Sequence, residues 1–260
     1  MELSEAARAW RDCGIAAGDS VLLHSDSLRW SVQRRRAGQP WSAQALLDSL
    51  LEALGPEGTL LLPLFNFDFA GGKPFDIRST PSHMGALTEA ARLHPAAVRT
   101  GHPIYSFAVI GARAASVRGL DNFSGYGADS PFALLREWDG KVAVLDLSDQ
   151  ASMTYHHHVE EMCAAPWRYH KVFEGDCTDA AGHTSRKRYG LYVRDLAARI
   201  ETWVEPMGER LWAKGLWQGC RPKEGAGLRW VRARALFHEV AGVIQRGEAE
   251  NLLYRIGDKA

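Results

Sequence analysis

The stretch SAQALLDSLLEALGPEGTLLLPLF, residues 42–65, predicts a helix followed within a few residues by a buried strand. Ser42 is a suitable N-cap, and Gly55 ends the helix. Between them one apolar stripe has helical spacing and consists of Leu46, Leu47, Leu50, Leu51 and Leu54. The following GTLLLPLF, residues 58–65, is almost continuously apolar, which is typical of a strand buried on both faces of its sheet. Such a strand needs covering layers on both sides, so the stretch favours an α/β fold.

The alternation of helices and strands continues in both directions along the chain. Further strands are predicted at residues 18–24, 104–111 and 141–147, and further helices at 3–13, 84–94, 130–138, 152–163 and 236–247. After about residue 168 the pattern is typical of hairpins. We therefore expect one domain over residues 1–260, an α/β three-layer sandwich. Its central mixed sheet is parallel at its centre and flanked by helices, with an antiparallel extension in the C-terminal part.

Three segments have no clear helix or strand pattern, residues 30–42, 66–83 and 112–130. They are long for loops of a compact domain. Loops of this length usually bind ligands or move, so we expect them to border the functional site.

The composition limits the possible functions. The chain of 260 residues has 31 Lys and Arg against 31 Asp and Glu, so it lacks the positive surplus that binds nucleic acids or anionic membranes. Apolar residues make up 46% of the chain, which excludes disorder for most of its length. The four cysteines include no CxxC pair, and the N-terminus lacks the pattern of a signal peptide. We expect a cytoplasmic protein with reduced thiols and no membrane or nucleic-acid partner.

Residues 154–161, Thr-Tyr-His-His-His-Val-Glu-Glu, form the densest group of reactive side chains. They follow a predicted strand, and open α/β sheets bind ligands at the carboxyl ends of strands. In a helix His157 and Glu160 share one face, so the carboxylate can accept from one ring nitrogen and leave the other as a base. The alternatives are a histidine-rich helix with satisfied side chains and a metal site. No second His/Cys cluster has ligand spacing, so we expect no metal.

Two further segments carry candidate side chains. His102-Pro103 leads into a predicted strand and places Ser106 near its start, although alone it predicts an ordinary turn. Residues 24–29, His-Ser-Asp-Ser-Leu-Arg, end the first strand, where small hydroxyls and free amides suit a phosphate or a pantetheine amide. Alone, this second segment is as well explained by a helix cap.

Taken together, these segments resemble the aminoglycoside 3-N-acetyltransferases and their relatives that acetylate other amines with acetyl-CoA. Five matches come in family order between about Gly18 and Lys171: GDSVLLHSDSLR, GPEGTLLLPLFNF, HMGALTEAARLHPAAVRTGHPIYSFAVIG, GYGADSPFALL and MTYHHHVEE. The ordered set is specific, although each match alone is weak. The resemblance implies an enzyme, an acyltransferase that moves an acetyl group from acetyl-CoA to a primary amine of an amino sugar or related small molecule.

The resemblance also implies roles for individual residues. His157 is the general base that takes the proton of the attacking amine, and Glu160 orients its ring and stabilises the imidazolium. Ser106 hydrogen-bonds the thioester oxygen or the leaving sulfur. The residues implied to contact coenzyme A are His24, Ser25, Ser27, Leu28, His102 and Ser106. No covalent intermediate, metal or further cofactor is implied, and the enzyme is expected to be a monomer or a homodimer.

The sequence departs from the family pattern at two places. Asp26 stands where the family turn usually has Ser, so we expect it to point away from the cofactor or to cap the next helix. Residues 184–189, Thr-Ser-Arg-Lys-Arg-Tyr, are basic where antibiotic-modifying members are generally acidic. We therefore expect an acceptor that is neutral or anionic rather than a polycationic aminoglycoside. If the acceptor is an aminoglycoside after all, the carboxylates expected to line its cleft are Asp68, Asp76, Glu161 and Asp176.

Three alternatives to this reading stay open. The first is an aminoglycoside 3-N-acetyltransferase proper, which confers antibiotic resistance. The second is a hydrolase that uses Ser106, His157 and Glu160, although the chain has no GxSxG motif. The third is a non-catalytic relative that only binds coenzyme A, against which the intact His157 and Glu160 pair argues.

Overall fold

The computed structural model describes residues 3–39 and 42–257, and these ranges contain both helices and strands. The strands are β1 Ser20–Ser25, β2 Thr59–Pro63, β3 Phe75–Asp76, β4 Val98–Arg99, β5 Phe107–Gly111, β6 Lys141–Leu145, β7 Arg168–Thr178, β8 Thr184–Arg194, β9 Ile200–Thr202, β10 Gln218–Gly219, β11 Leu228–Arg232 and β12 Tyr254–Ile256. The helices are α1 Glu5–Asp12, α2 Leu28–Arg36, α3 Ala43–Leu54, α4 Ala86–Leu93, α5 Pro131–Glu137, α6 Asp149–Ser152, α7 Tyr155–Met162, α8 Glu205–Ala213 and α9 Ala233–Gln245.

Within the described ranges a seven-stranded sheet has the order β10-β11-β6-β1-β2-β5-β4. The three central strands β6, β1 and β2 are parallel, and the outer strands pair antiparallel to their neighbours. This confirms a mixed sheet with a parallel centre. The antiparallel extension is the long hairpin of β7 and β8, which β3 joins along one edge.

Apolar side chains on both faces of the sheet make the core. Leu22 of β1 packs into one apolar cluster, and its neighbours Val21 and Leu23 pack into the other, as alternation along a strand requires. The first cluster includes residues of α5, α7 and α9, and the second includes residues of α1, α3 and α4. The predicted three-layer sandwich is therefore confirmed.

The segment predicted as a loop at residues 30–42 is helical over most of its length, so that prediction was wrong. Helix α2 spans Leu28–Arg36, and positions 40 and 41 of the predicted loop lie outside the described residues. Contacts with distant segments hold the helix: the buried Trp30 packs on Trp10 of α1 with ring centroids 4.4 Å apart, and Arg29 Nε lies 2.7 Å from Asp146 Oδ2. A helix held in this way rather than by an apolar face has no apolar stripe for the sequence to reveal.

Strand β5 starts at the edge of the sheet where the parallel strands end, so the turn before β5 lies at this edge. It runs antiparallel to β2, with Phe107 paired to Pro63. The strand was predicted from residue 104 but begins at Phe107, so Ser106 lies in the turn before it. Because of this reversal, the start of β5 lies beside the carboxyl ends of β1, β2 and β6.

Candidate active site

Helix α7 carries the histidine and the glutamate that the sequence singles out. Thr154 stands at its N-cap position, and His157 and Glu160 follow one turn apart. Their side chains meet, with His157 Nδ1 2.9 Å from Glu160 Oε2. The His157 side chain is 19% exposed and that of Glu160 is 2% exposed, so the ring faces solvent and the carboxylate lies behind it. This leaves Nε2 of the ring available to a ligand.

Trp167 and Arg168, which come after α7 in the sequence, contact the carboxylate of Glu160. Arg168 Nε lies 2.7 Å from Glu160 Oε2, an ion pair without hydrogen-bond alignment, and Trp167 Nε1 donates to Oε1 at 2.9 Å. Burial alone would raise the pKa of Glu160, but Arg168 and His157 together lower it to about 2. Glu160 is therefore an anion at neutral pH and can stabilise an imidazolium. The sequence analysis gave no role to Trp167 or Arg168, which come after the helix at the start of β7.

The Nδ1 atom of His157 lies between opposite charges. It is 2.9 Å from Arg168 Nη2 as well as from the Glu160 carboxylate. One nitrogen cannot donate to a carboxylate and accept from a guanidinium at once, so the two contacts belong to different tautomers of the ring. When Nδ1–H donates to Glu160, Nε2 keeps its lone pair. Burial and then Arg168 lower the pKa of His157 against the effect of Glu160, so the ring is neutral at neutral pH, as a general base requires.

The two neighbouring histidines point into the core. His156 and His158 are both fully buried, and His158 Nδ1 lies 2.7 Å from the carbonyl oxygen of Tyr126. Burial lowers the pKa of each ring to about 4. Both rings are therefore neutral packing groups, and among the three consecutive histidines it is His157 that faces solvent.

Ser106 is fully buried in the turn before β5. Its Oγ accepts from Arg99 Nε and Arg99 Nη2, each at 3.2 Å. Two donors occupy both lone pairs of the hydroxyl oxygen, so its hydrogen is directed to another group. The hydrolase alternative needs a contact between this serine and His157, and the described contacts of Ser106 Oγ are with Arg99 instead.

His102 fixes the same turn from inside. It is fully buried, and its Nδ1 accepts from the amides of Ile104 and Tyr105 at 3.2 and 3.0 Å. Its Nε2 lies 3.3 Å from the carbonyl oxygen of Gly190 in β8. Both ring nitrogens are thus used by the backbone, so His102 offers no polar atom to a ligand in this structure.

The turn after β1 has the features expected for a phosphate or an amide. Ser25 ends the strand, Ser27 stands at the N-cap position of α2, and Leu28 is 66% exposed. Asp26 Oδ1 accepts from the Leu28 amide at 2.9 Å, so this unusual carboxylate caps the helix as predicted. His24 is 6% exposed, and burial lowers its pKa to about 4, so it is a neutral packing group.

A row of aromatic rings connects this turn with the α7 histidine. The ring centroids of His24 and Phe65 are 6.1 Å apart, and those of Phe65 and Tyr105 are 4.4 Å apart. Tyr105 lies 4.7 Å from Tyr126, and Tyr126 lies 5.2 Å from His157. Packed rings therefore run continuously from one predicted site segment to the other, although the two segments are far apart in sequence.

His157 opens into a cleft of about 360 Å³ between α7 and the β7–β8 hairpin. We call it the α7 cleft, and its walls include Tyr126, Arg168, Lys171 and Arg194. It is a concave site with an aromatic wall and a base at its floor, which is the form expected of a small-molecule site.

The basic run at residues 186–188 is not part of the α7 cleft. Arg186 Nε lies 2.6 Å from Glu174 Oε1, and Lys187 Nζ lies 2.6 Å from Asp121 Oδ2. Salt bridges on the exposed part of the hairpin therefore compensate these two cations. The expectation of a neutral or anionic acceptor therefore gains no support from these two cations.

Within residues 3–39 and 42–257, no group of three or more His, Cys, Asp or Glu side chains could hold a metal ion. Every helix in them is too short or too polar to cross a membrane.

Comparison with known proteins connects this geometry to one family. The family model described as aminoglycoside 3-N-acetyltransferase matches residues 32–244. The chain is similar to aminoglycoside N(3)-acetyltransferase VII of Streptomyces paromomycinus, with 29% identity over 176 residues. The aligned part covers 59% of this chain and 58% of that protein, so it spans less than two thirds of the relative.

Solved structures share the whole fold. Aminoglycoside acetyltransferase AAC(3)-Xa matches with a TM-score of 0.76 and 23% identity, over 95% of this chain and 92% of that one. AAC-IIIb, solved as a binary complex with CoASH, matches with a TM-score of 0.75 and 22% identity, over 93% of this chain and 95% of that one. Identities of this size show the fold alone. The family model, in contrast, covers most of the sequence, and this chain belongs to the aminoglycoside 3-N-acetyltransferase family.

Proposed function

We propose that this chain is an acetyl-CoA-dependent N-acetyltransferase, acting on a primary amine of an amino sugar or a related small molecule. The observation that carries the proposal is the contact between His157 and the buried, ionised Glu160, which leaves a neutral ring nitrogen facing the α7 cleft. A base of this kind is what an amine needs, because an ammonium group has no lone pair with which to attack a thioester. The contact also argues against a non-catalytic relative.

The chain's own residues have distinct parts in the transfer. His157 Nε2 accepts the amine proton as the nitrogen bonds to the thioester carbon, and it returns a proton to the sulfur when the carbon–sulfur bond breaks. Glu160 accepts from Nδ1 and stabilises the imidazolium formed in between. Ser106, whose oxygen is occupied by Arg99, has only its hydrogen to offer, and it donates to the thioester oxygen as charge develops there.

The turn after β1 fits the donor. Ser25, Ser27 and the first-turn amides of α2 other than that of Leu28, which Asp26 occupies, can donate to phosphate oxygens, and the exposed Leu28 side chain can pack on the pantetheine chain. We assign His24 and His102 to shaping this site, since both are buried and neutral. A structural neighbour solved with CoASH supports the assignment of the donor.

The proposal also covers the domain organisation, the oligomeric state and the cellular location of the enzyme. It acts as one domain over residues 1–260, as a monomer or a homodimer, in the cytoplasm, where acetyl-CoA is available. Acetylation of aminoglycosides themselves, and hence antibiotic resistance, is the alternative acceptor assignment, and the name of the curated relative supports it.

A mass-shift screen tests the proposed function. The protein is incubated with acetyl-CoA and aminoglycosides, amino sugars, nucleotide-linked amino sugars or amino acids, and the acetylated amine and the free thiol of CoA are measured together. We expect both products in equal amounts. His157→Asn should lower kcat by about 10²–10⁴-fold while CoA still binds, because only the base is lost.

His183→Asn is the matched control, because this histidine is 84% exposed on the hairpin turn. It should retain full activity. Near-normal turnover by His157→Asn, or thiol release without an acetylated amine, would contradict the proposal.

A further inference from the structure

The α7 cleft has an unusual charge balance. Three cations line it, Arg168, Lys171 and Arg194, and none of the described residues in its lining is Asp or Glu. Glu160 is 2% exposed behind the histidine ring and is paired with Arg168, and the neighbouring Glu161 accepts from Ser124 Oγ at 2.7 Å, so both carboxylates are compensated outside the lining. The four carboxylates expected for an aminoglycoside, Asp68, Asp76, Glu161 and Asp176, are all outside the lining.

Two of these cations have no carboxylate partner within the described structure. Lys171 contacts the ring of Phe173, with Nζ 5.3 Å from its centroid, and no ion pair is formed. The side chain of Arg194 forms no hydrogen bond or ion pair among the described residues, although its backbone is paired with that of Arg168. On the same hairpin, Arg186 and Lys187 are both paired with acids. Arg188 of the same hairpin also has no carboxylate partner among the described residues, but Lys171 and Arg194 are the two unpaired cations that line the cleft.

The strand register places like charges opposite each other. Arg194 of β8 is directly opposite Arg168 of β7, so the two side chains are on the same face of the hairpin. Like charges at such a position destabilise a sheet unless an anion lies between them. Glu160 compensates Arg168, whereas the charge of Arg194 is left for a ligand.

Aromatic side chains complete the walls. Tyr169, Phe173 and Tyr192 alternate with the cations along the hairpin, and Tyr169 is 48% exposed. Flat apolar walls bury the body of a small ligand, and a few cations among them orient its charged group. The cleft therefore suits a ligand with a ring and a negative charge.

We propose that the acceptor amine is carried by a molecule with a phosphate or carboxylate group, which Arg194 holds while the amine reaches His157. Lys171, which the register puts on the other face of the strand pair, adds a second positive charge to the cleft lining. The inference rests on the proposed function, because it takes the α7 cleft as the acceptor site and the turn after β1 as the donor site. A polycationic acceptor gains nothing from unpaired cations, since like charges disfavour its approach.

Glucosamine and glucosamine 6-phosphate form the test pair, since they present the same amine with and without the anion. The wild-type protein should show a kcat/KM about tenfold or more higher for the phosphorylated probe, because hydrogen bonds to charged groups are the stronger ones. Lys171→Gln and Arg194→Gln should each reduce this ratio by about tenfold, mainly through KM of the phosphorylated amine. Arg186→Gln, an exposed hairpin cation outside the cleft, should leave the ratio unchanged.

The same variants distinguish an acceptor from the phosphates of the donor. If Lys171→Gln and Arg194→Gln raise KM for acetyl-CoA and not for the amine, the cations hold the donor and the inference is overturned. Equal use of both glucosamines, or a preference for kanamycin that the two variants leave unchanged, also overturns it.

Titration with glucose 6-phosphate and with glucose, in the presence of CoA, separates this inference from the proposed function, because neither sugar can be acetylated on nitrogen. Binding of glucose 6-phosphate that weakens about tenfold in Arg194→Gln supports the anion site independently of turnover. Acetylation of amines without any preference for anions overturns the inference and leaves the proposed function intact. Anion binding without acetylation of any amine overturns the proposed function and, with it, the acceptor assignment.

Discussion

Replacing Arg168 by Met removes the cation that compensates Glu160. The side chain of Arg168 is 5% exposed and that of Glu160 is 2% exposed, so water cannot take the place of either partner. In Arg168→Met, Glu160 keeps its contacts with Trp167 and His157 but remains a buried anion without a cation. Breaking a buried pair from one side costs about 3–5 kcal/mol. This is a large part of the roughly 5–15 kcal/mol that stabilises a protein.

The thermal midpoint should therefore fall by roughly 6–20 °C, since about 2–4 °C corresponds to each kcal/mol in a chain of this size class. Glu160→Gln should also destabilise, because it leaves the Arg168 guanidinium buried without a carboxylate. The double variant Arg168→Met/Glu160→Gln removes both charges together. It should be more stable than the sum of the single effects predicts, by about 1–3 kcal/mol.

The pH dependence of the free energy of unfolding is a second test of the Arg168–Glu160 ion pair. Wild-type Glu160 has a pKa lowered to about 2 from the ordinary 4.5, so its stabilisation is fully present above the ordinary value and is lost as pH falls toward 2. Without Arg168 the largest remaining influence is burial, which raises the pKa of this carboxyl. The variant's Glu160 then binds a proton in mild acid, so the stability difference from wild type should shrink as pH falls from neutral.

Urea unfolding followed by tryptophan fluorescence at neutral pH and at about pH 4 measures both quantities for the four proteins of the cycle. Additive single effects would show that the two side chains do not interact. A cost of Arg168→Met that stays constant with pH would show that its cause is lost packing rather than an uncompensated charge.

Three further outcomes concern activity. The acidic limb that His157 adds to kcat/KM, beside the limb set by the acceptor's own ammonium group, should lie below pH 6.5, because its pKa is lowered. A limb below pH 6.5 that persists in the residual activity of His157→Asn would refute the base assignment. Ser106→Ala should lower kcat about 10²-fold with little change in KM for acetyl-CoA, and steady-state kinetics that show the reverse split would assign Ser106 to binding instead. Ser27→Trp should abolish CoA binding in calorimetry while the circular dichroism spectrum stays unchanged, and unaltered affinity would place the donor elsewhere.

Local signals in the sequence were sufficient for the parts of the fold that depend on near neighbours. Helix α3 has a serine cap, with Ser42 Oγ accepting from the Ala45 amide at 3.0 Å, and it ends at Gly55 with φ of 66°. Helix α2 lacked such signals, because the contacts that anchor it, Trp30 with Trp10 and Arg29 with Asp146, join segments that are distant in sequence. Its basic residues therefore resembled a solvated loop.

In the candidate active site, too, contacts between near neighbours were predictable and contacts between distant segments were not. His157 and Glu160 are neighbours on one helix turn, so their spacing alone predicted the contact. Arg168 reaches them only because β7 turns back along α7, and no local pattern encodes that return. Arg99 reaches Ser106 because β4 and β5 pair antiparallel, which the sequence reading did not anticipate for this part of the sheet. Interactions between distant segments were the part that required the structure.

The position of β11 has a consequence for the growing chain. Residues 228–232 form the strand that covers the outer edge of β6, and β6 is buried at all five of its positions. The ribosome completes β6 long before β11, and in that interval an apolar strand edge is left with unpaired amide and carbonyl groups. Such edges recruit strands of other chains. A chain that stops before residue 228 should therefore aggregate rather than form a smaller enzyme. During synthesis of the full chain, the edge of β6 should need protection until β11 pairs with it.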